Sequence, residues 1–469
     1  VATSGGLLVA CRGPRWPRPP RSPRVPPPPA LPGDPFTLGL ASGDPTHRSV
    51  ILWTRLAPEP MAPDGAMPQE PVTIGWQVGA DEDLRRVVAA GTAVADPAHG
   101  HSVHVDVRGL RPARDYWYRF FVGDWETEIG HTRTTPAPGR LPEHVALGHI
   151  SCQRYQSGYW TALEDLATHD LDAVLHSGDY IYERGGGGVR PLHFDEPLDV
   201  GGYRTVYGAY KADPALRAAH AAAPWIVTWD DHEVENNYQG DVPEDGSDTP
   251  DTEAFLARRF AAYRAWWEHQ PVRLPPPTGP SWPAYRGVDF GRLISLSALD
   301  TRQYRTDQAC SDEDVGQRCD GSDDPSYTVL GADQEAWLRS RLADTDARWT
   351  VLLQQVVMQQ WRFAPGDVVW NLDQWDGYPA ARDALFDDLQ SSGARNPVVL
   401  TGDVHSNWVG SLATDFDDPD SEILGTEFVG TSISSSGDAL APVVEPLLAQ
   451  NPHLRWANAM NRGWVRHEI

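Results

Sequence analysis

Four short segments carry side chains able to hold metal ions, and each follows a short apolar run. They are Ser151-Cys152-Gln153, Gly178-Asp179-Tyr180-Ile181-Tyr182-Glu183, Trp229-Asp230-Asp231-His232-Glu233 running on to Glu235-Asn236-Asn237, and Gly402-Asp403-Val404-His405. Taken singly, some of these are ordinary. A cysteine after a strand is usually a small buried hydrophobe, and Gly-Asp is a common turn. Asp-Asp-His-Glu is different, because it sets three carboxylates and an imidazole where an apolar strand meets solvent. Asp403 and His405 fall on the same side of an extended segment, as a chelating pair would. Four such clusters behind four apolar runs point to a metal centre.

The elements that must position them alternate between strand and helix. Strands are predicted at Ala146–Ile150, Ala173–Ser177, Trp225–Thr228, Leu293–Leu299, Trp349–Gln354 and Val398–Thr401, and helices at Tyr159–Thr168, Thr252–Glu268 and Ala332–Leu342. That alternation is the signature of a layered α/β domain. In such a sheet the carboxyl ends of the strands form the ligand crevice, which is where the clusters fall. Residues 36–136 read as an all-β sandwich, with short runs at Thr37–Leu40, Ser49–Trp53, Val72–Val78, Ser102–Val107 and Tyr116–Val122. Leu110-Arg111-Pro112 followed by Tyr116 suggests the tyrosine corner of a fibronectin-III-like fold.

These clusters belong to a longer ordered series. It includes His176 to Glu183, Thr228 to Asn237, Leu299-Asp300-Thr301-Arg302-Gln303-Tyr304, Asp373 to Tyr378, Thr401 to His405 and Phe428 to Ser434. In order and spacing the series resembles the PhoD-type alkaline phosphatases, a branch of the calcineurin-like metallophosphoesterases, from about Phe36 onward. The wider superfamily opens with Asp-x-His at the first strand, whereas this chain has Ser151-Cys152-Gln153 there, as the PhoD branch does. The resemblance implies a four-layer αββα sandwich over residues 143–469, behind the N-terminal β-sandwich. It also implies a centre of one ferric ion (Fe3+) and calcium ions (Ca2+). Carried over by motif, Cys152 and Tyr182 bind iron, Asp179 is shared, His405 completes the iron site, and Asp231, Asn236 and Asp403 are the calcium candidates.

The expected reaction is in-line attack by a metal-bound hydroxide on a phosphate ester. His232 is the candidate proton donor to the leaving alkoxide, with Glu233 behind it; the alternative is that His232 orients Asp231. Arg190 and Arg302 are candidate clamps for the phosphate oxygens, against the commoner fate of an ion pair. Two rival readings stand beside the phosphatase: a phosphodiesterase acting on lipid or wall-polymer diesters, and a catalytically dead binding protein.

Net charge is −26, which argues against a phosphate-backbone grip on nucleic acid. A monomer is expected, with a phosphate mono- or diester as substrate. Lysine occurs once, at Lys211. Cys310 and Cys319 are close enough to bridge in an oxidising compartment or to stay reduced. Residues 1–12 read as the remnant of an export signal, and Leu8-Val9-Ala10-Cys11 resembles a lipobox whose cysteine carries a lipid anchor. Residues 13–35 form an Arg/Pro spacer. Export to the periplasm, cell surface or medium follows as an expectation. The last residues, Gly463 to Ile469, read as the middle of a strand, so the chain is expected to be truncated there.

Overall fold

Two seven-stranded sheets lie face to face and bring the four clusters to one rim. The computed structural model describes residues 23–244, 246–310, 315–319, 321–363, 369–437 and 442–469. The export-signal segment with Cys11, and the first part of the Arg/Pro tract, lie outside the described residues.

The first sheet runs, in spatial order, through Val465–Glu468, Ala146–Ile150, Ala173–His176, Pro224–Val227, Leu40–Gly43, Ser49–Arg55 and Ser102–Arg108. The second runs through Arg286–Phe290, Ile294–Ala298, Trp349–Leu353, Pro397–Thr401, Ile423–Val429, Asn407–Ala413 and Leu454–Asn458. Leu147, Leu175 and Ile226 of the first sheet meet Leu296, Val351, Leu353 and Leu400 of the second in one buried cluster. Alternate residues of the same strands, Ile150, Val174 and Val227, face the other way and pack on helical residues including Leu163, Tyr207, Leu216 and Trp266. Leu352 and Val399 do likewise against Leu338, Leu385 and Phe386. Strands buried on both faces are largely apolar, which is why they are readable as short hydrophobic runs. The architecture is the expected αββα sandwich.

The N-terminal region adds a five-stranded sheet built on Val87–Ala95, Val72–Gly79 and Asp115–Val122. Its Ile74, Val78, Tyr118 and Phe120 bury against Leu40, Leu52, Val103 and Val105. Tyr116 makes the expected corner, its hydroxyl accepting the Arg111 backbone N–H at 2.8 Å. The second layer of this sandwich is not separate. Leu40–Gly43 pairs in parallel with Pro224–Val227, Ser42 opposite Pro224 and Gly43 opposite Trp225, so one sheet runs through both regions.

Several elements differ from the sequence reading. The first strand begins at Leu40; Phe36–Gly39 is a turn, with the Gly39 N–H donating to the Phe36 carbonyl at 2.9 Å. Val87–Ala95 is an additional strand whose alanines and glycine carry little strand signal. Helices Val200–Lys211 and Pro214–Ala222 are also additional. The first opens on Gly201-Gly202, which reads as a break, but Asp199 caps it by accepting from the Gly202 N–H.

Lys211 ends that helix with its amine fully enclosed. It sits 4.3 Å from the Trp53 ring centre, 5.2 Å from that of Tyr180 and 3.1 Å from His220 Nε2. Burial without a counter-charge pushes its pKa well below the usual lysine range. The residue pins the N-terminal strand carrying Trp53 to the loop that holds Asp179.

Candidate metal centre

Each cluster occupies a sharp turn at a strand end. Cys152 (φ 57°), Asp179 (φ 59°), Asp403 (φ 63°) and His405 (φ 57°) all have left-handed backbones. Such a conformation costs a non-glycine residue roughly 1–2 kcal/mol and persists only where the surroundings over-determine it. Here they do. The Cys152 N–H donates to the Gly178 carbonyl at 3.2 Å, and the Ser435 N–H donates to the Cys152 carbonyl at 3.2 Å. Glu233 accepts from the backbone N–H groups of Asp179 (3.1 Å), Tyr180 (2.6 Å) and Asp230 (2.8 Å). Gly402 lets the second sheet approach, since a Cβ there would lie 2.8 Å from Ser151 Cβ.

The turns aim their side chains at one another. Cys152, Asp179 and His405 form one group of potential ligand atoms lying within 4.8 Å of each other; Asp179, Asp231 and His232 form a second, and Asp230, Asp231 and Asp403 a third. The Tyr182 hydroxyl joins the first, 2.7 Å from Asp179 Oδ2 and 3.1 Å from His405 Nε2, while Ser435 Oγ donates to it at 2.7 Å. His405 Nδ1 donates to the Ser436 carbonyl at 2.8 Å, which leaves Nε2 for the centre. His232 Nδ1 donates to Glu183 Oε2 at 2.6 Å, and its ring packs 4.1 Å from that of Tyr182.

Two cavities open onto these groups. One, about 220 Å³, is lined by residues including Arg154, Tyr182, His232, His405 and Ser435. The other, about 300 Å³, reaches Asp179, Asp231, Asn237, Asp373 and Asp403. His232, Asn236 and His405 line both, so the two are arms of one cleft. A larger cavity of about 500 Å³ lies beside Trp337 and Arg341, and none of the candidate ligands lines it.

Residues 147–469 match the model of the PhoD-like phosphatase family, and residues 23–136 match that of the PhoD-like phosphatase N-terminal domain. The chain belongs to the PhoD-like phosphatase family. It is 45% identical over 443 residues to alkaline phosphatase D of Bacillus subtilis (strain 168), covering 92% of this chain and 75% of that one. A solved structure of PhoD superposes with a TM-score of 0.89 at 44% identity, over 94% of this chain and 85% of the other. The protein is accordingly a phosphoric ester hydrolase acting on phosphate esters.

PhoD-like phosphatases are metal-dependent, and the donor chemistry here fits. Asp179 Oδ1 and Asp231 Oδ1 are buried with no hydrogen-bond partner, an expensive arrangement unless a cation satisfies them. Burial, and then the Asp179 charge, push the Cys152 thiol and the Tyr182 phenol well above their usual ranges. Burial likewise takes Asp403 up to about 7. A bound cation reverses each of these shifts. The third group already holds a cation, because Arg302 Nε lies 2.5 Å from Asp230 Oδ1.

The structure thus brings Cys152, Asp179, Tyr182, Asp231, Asp403 and His405 together, with Asn236 on the cleft wall. Three expectations need correction. Arg302 is no phosphate clamp: its side chain is wholly out of solvent, bonded to Asp230 and to Asp373 Oδ1 (2.7 Å). Arg190 pairs with Asp213 and packs over Tyr155 at 3.8 Å, and it lines neither arm of the cleft. Glu233 braces the backbone and does not stand behind His232; Glu183 does. Glu183, Asp230, Asp373 and Gln374, whose Nε2 donates to Asp403 Oδ2 at 2.7 Å, were not singled out by sequence reasoning, although all four lie within or beside the quoted motifs.

Glu427 supports the Asp403 turn from below. Its carboxylate accepts from Thr401 Oγ1 (2.6 Å) and from the N–H groups of Met358 (2.9 Å) and Gln359 (2.7 Å). Burial nonetheless pushes its pKa from 4.5 up to about 7. A folded-state pKa raised above the unfolded value adds stability at low pH, and that stability is lost as pH rises through the folded pKa. Glu427→Gln is therefore expected to flatten the fall in unfolding free energy between about pH 4.5 and 7. It is also expected to cost about 1–3 kcal/mol, because its amide confronts a backbone donor. Urea unfolding across that range checks both, and an unchanged slope refutes the first.

Proposed function

We propose that the protein hydrolyses phosphate esters as an exported phosphatase with a mixed iron and calcium centre. Asp179 carries this reading, being common to two donor groups while one of its oxygens is buried without a partner. Cys152, Asp179, Tyr182 and His405 would hold iron, because thiolate and phenolate are anionic donors suited to Fe(III). Asp231, Asn236 and Asp403, with Asp179 shared, offer the carboxylate and amide oxygens that calcium takes. When bound, these ions supply Lewis acidity toward phosphoryl oxygens and toward water.

The chain's own residues do the rest. His232 holds a proton for the leaving alkoxide, with Glu183 fixing its ring through Nδ1 so that Nε2 is left for the cleft. Burial opposes protonation, but the Glu183, Asp231 and Asp179 carboxylates outweigh it and raise the His232 pKa well above the usual range in the metal-free protein. His232→Gln is expected to lower turnover of an alkyl phosphate by about 10²- to 10⁴-fold, and that of nitrophenyl phosphate far less, since nitrophenolate leaves without a proton. Equal losses on both esters, or loss of metal from the variant, would remove His232 from this role.

Elemental analysis of purified protein tests the centre itself. Stoichiometric iron and calcium are expected, with iron lost in Cys152→Ala. Full activity after reconstitution with other metals alone would overturn the iron and calcium assignment. Export is supported by the bridge between Cys310 and Cys319, a feature of oxidising compartments.

A further inference from the structure

We propose that Arg154 binds the phosphate of the substrate directly and favours monoesters over diesters. The assignment rests on reading the cleft as a phosphate-ester site.

Two arginines line the smaller arm of the cleft. Arg184 is already neutralised by Glu183 (3.7 Å), Glu196 (3.3 Å) and Glu244. Arg154 has no carboxylate partner among the described residues, and its Nε is buried without any hydrogen bond. Enclosing a guanidinium donor and leaving it unpaired is costly unless a ligand completes it.

The backbone of Arg154 is held firmly. Its N–H donates to Ser435 Oγ at 3.1 Å, and its carbonyl accepts from Ser434 Oγ at 2.8 Å. Ser435 Oγ in turn donates to the Tyr182 hydroxyl, so one serine ties the arginine to the iron-side donors. The guanidinium carbon lies 5.7 Å from the Tyr182 ring centre, which places the cation on the flank of the centre. The acidic groups around Arg302 occupy the other arm. An anion at the centre therefore has metal donors on one side and one unpaired fork of N–H groups on the other.

A guanidinium grips two oxygens of a phosphate at once. A monoester offers three non-bridging oxygens and up to two negative charges. A diester offers two such oxygens and one charge, and its second alcohol takes up the space that a third oxygen would fill. Oxygens committed to the metal ions leave a monoester with more to give Arg154.

The test compares wild-type holoenzyme with Arg154→Gln and Arg154→Lys. It measures inhibition by inorganic phosphate, kcat/KM on nitrophenyl phosphate and on bis-nitrophenyl phosphate, bound metal, and the thermal midpoint. Arg154→Gln is expected to weaken phosphate inhibition by roughly 10- to 100-fold and to lower kcat/KM on the monoester by a similar factor. The diester is expected to change by less than about threefold, with metal content and midpoint unaltered. Arg154→Lys should recover part of the phosphate affinity, since it restores the charge without the fork. Unchanged phosphate inhibition, equal losses on both esters, or loss of metal or folding in Arg154→Gln would each overturn the assignment. A metal-loaded wild type inactive on both esters would instead overturn the phosphatase reading and Arg154's role with it.

Discussion

Arg302→Met is expected to destabilise the metal-free protein by about 3–5 kcal/mol, the range for breaking a buried ion pair from one side. Arg302 Nε and Nη1 bond to Asp230 and Asp373, and Nη2 lies 3.7 Å from Asp231 and 3.6 Å from Asp403. Methionine fills much of the volume but leaves this acidic group facing one charge fewer. Arg305 still reaches Asp373 at 2.7 Å, so the deficit concentrates on Asp230. Bound divalent cations would offset part of it, and the gap between chelator-treated and metal-loaded stability should therefore be wider in the variant than in the wild type. Urea unfolding with and without a chelator measures that gap. A variant as stable as the wild type under both conditions would refute the counter-charge role.

The second large effect separates activity from stability. Asp179→Asn keeps the size of the side chain and a residue type that tolerates a left-handed backbone, so it removes charge and little else. Loss of metal is expected, with a fall in kcat/KM of about 10³-fold or more, which corresponds to several kcal/mol of lost transition-state stabilisation. The metal-free variant should be no less stable than the metal-free wild type. Glu233 shows why: its pKa reaches about 8 through burial first and the Asp179 charge second, so the native carboxylate is a source of repulsion until a cation arrives. Trade-offs of this kind are general at functional sites. Metal analysis and unfolding on the same preparation check the pair of outcomes, and a variant that kept its metal would refute the sharing of Asp179 between two groups.

What could be read in the sequence was local. Ala146–Ile150, Ala173–His176 and Pro397–Thr401 show as apolar runs because both faces of each are buried, and their polar ends therefore stand out as clusters. What could not be read depended on distant partners. Arg302 sits in a polar stretch that suits a surface ion pair, and only the fold sets it against Asp230 and Asp373, which lie 72 and 71 residues away. His232 meets Glu183 across 49 residues, whereas its sequence neighbour Glu233 turns to the backbone. The helix at Val200–Lys211 is held by burial of Tyr203, Val206, Tyr207 and Tyr210, which outweighs the poor propensity of its glycines. The two-residue register joining Ser42 and Gly43 to Pro224 and Trp225 has no local signature at all.

That join also sets a timetable. A chain made from its N-terminus completes Leu40–Gly43, Ser49–Arg55 and Ser102–Arg108 long before Pro224–Val227, the strand that closes their edge, exists. At typical rates of synthesis the wait is roughly 6–24 s. Through that interval Leu40–Gly43 presents unpaired N–H and C=O groups of the kind that recruit other strands. Biogenesis thus has a vulnerable window that closes before the turns carrying Asp231, Asp403 and His405 have been made, and a partner that shields this edge would improve yield without touching the centre.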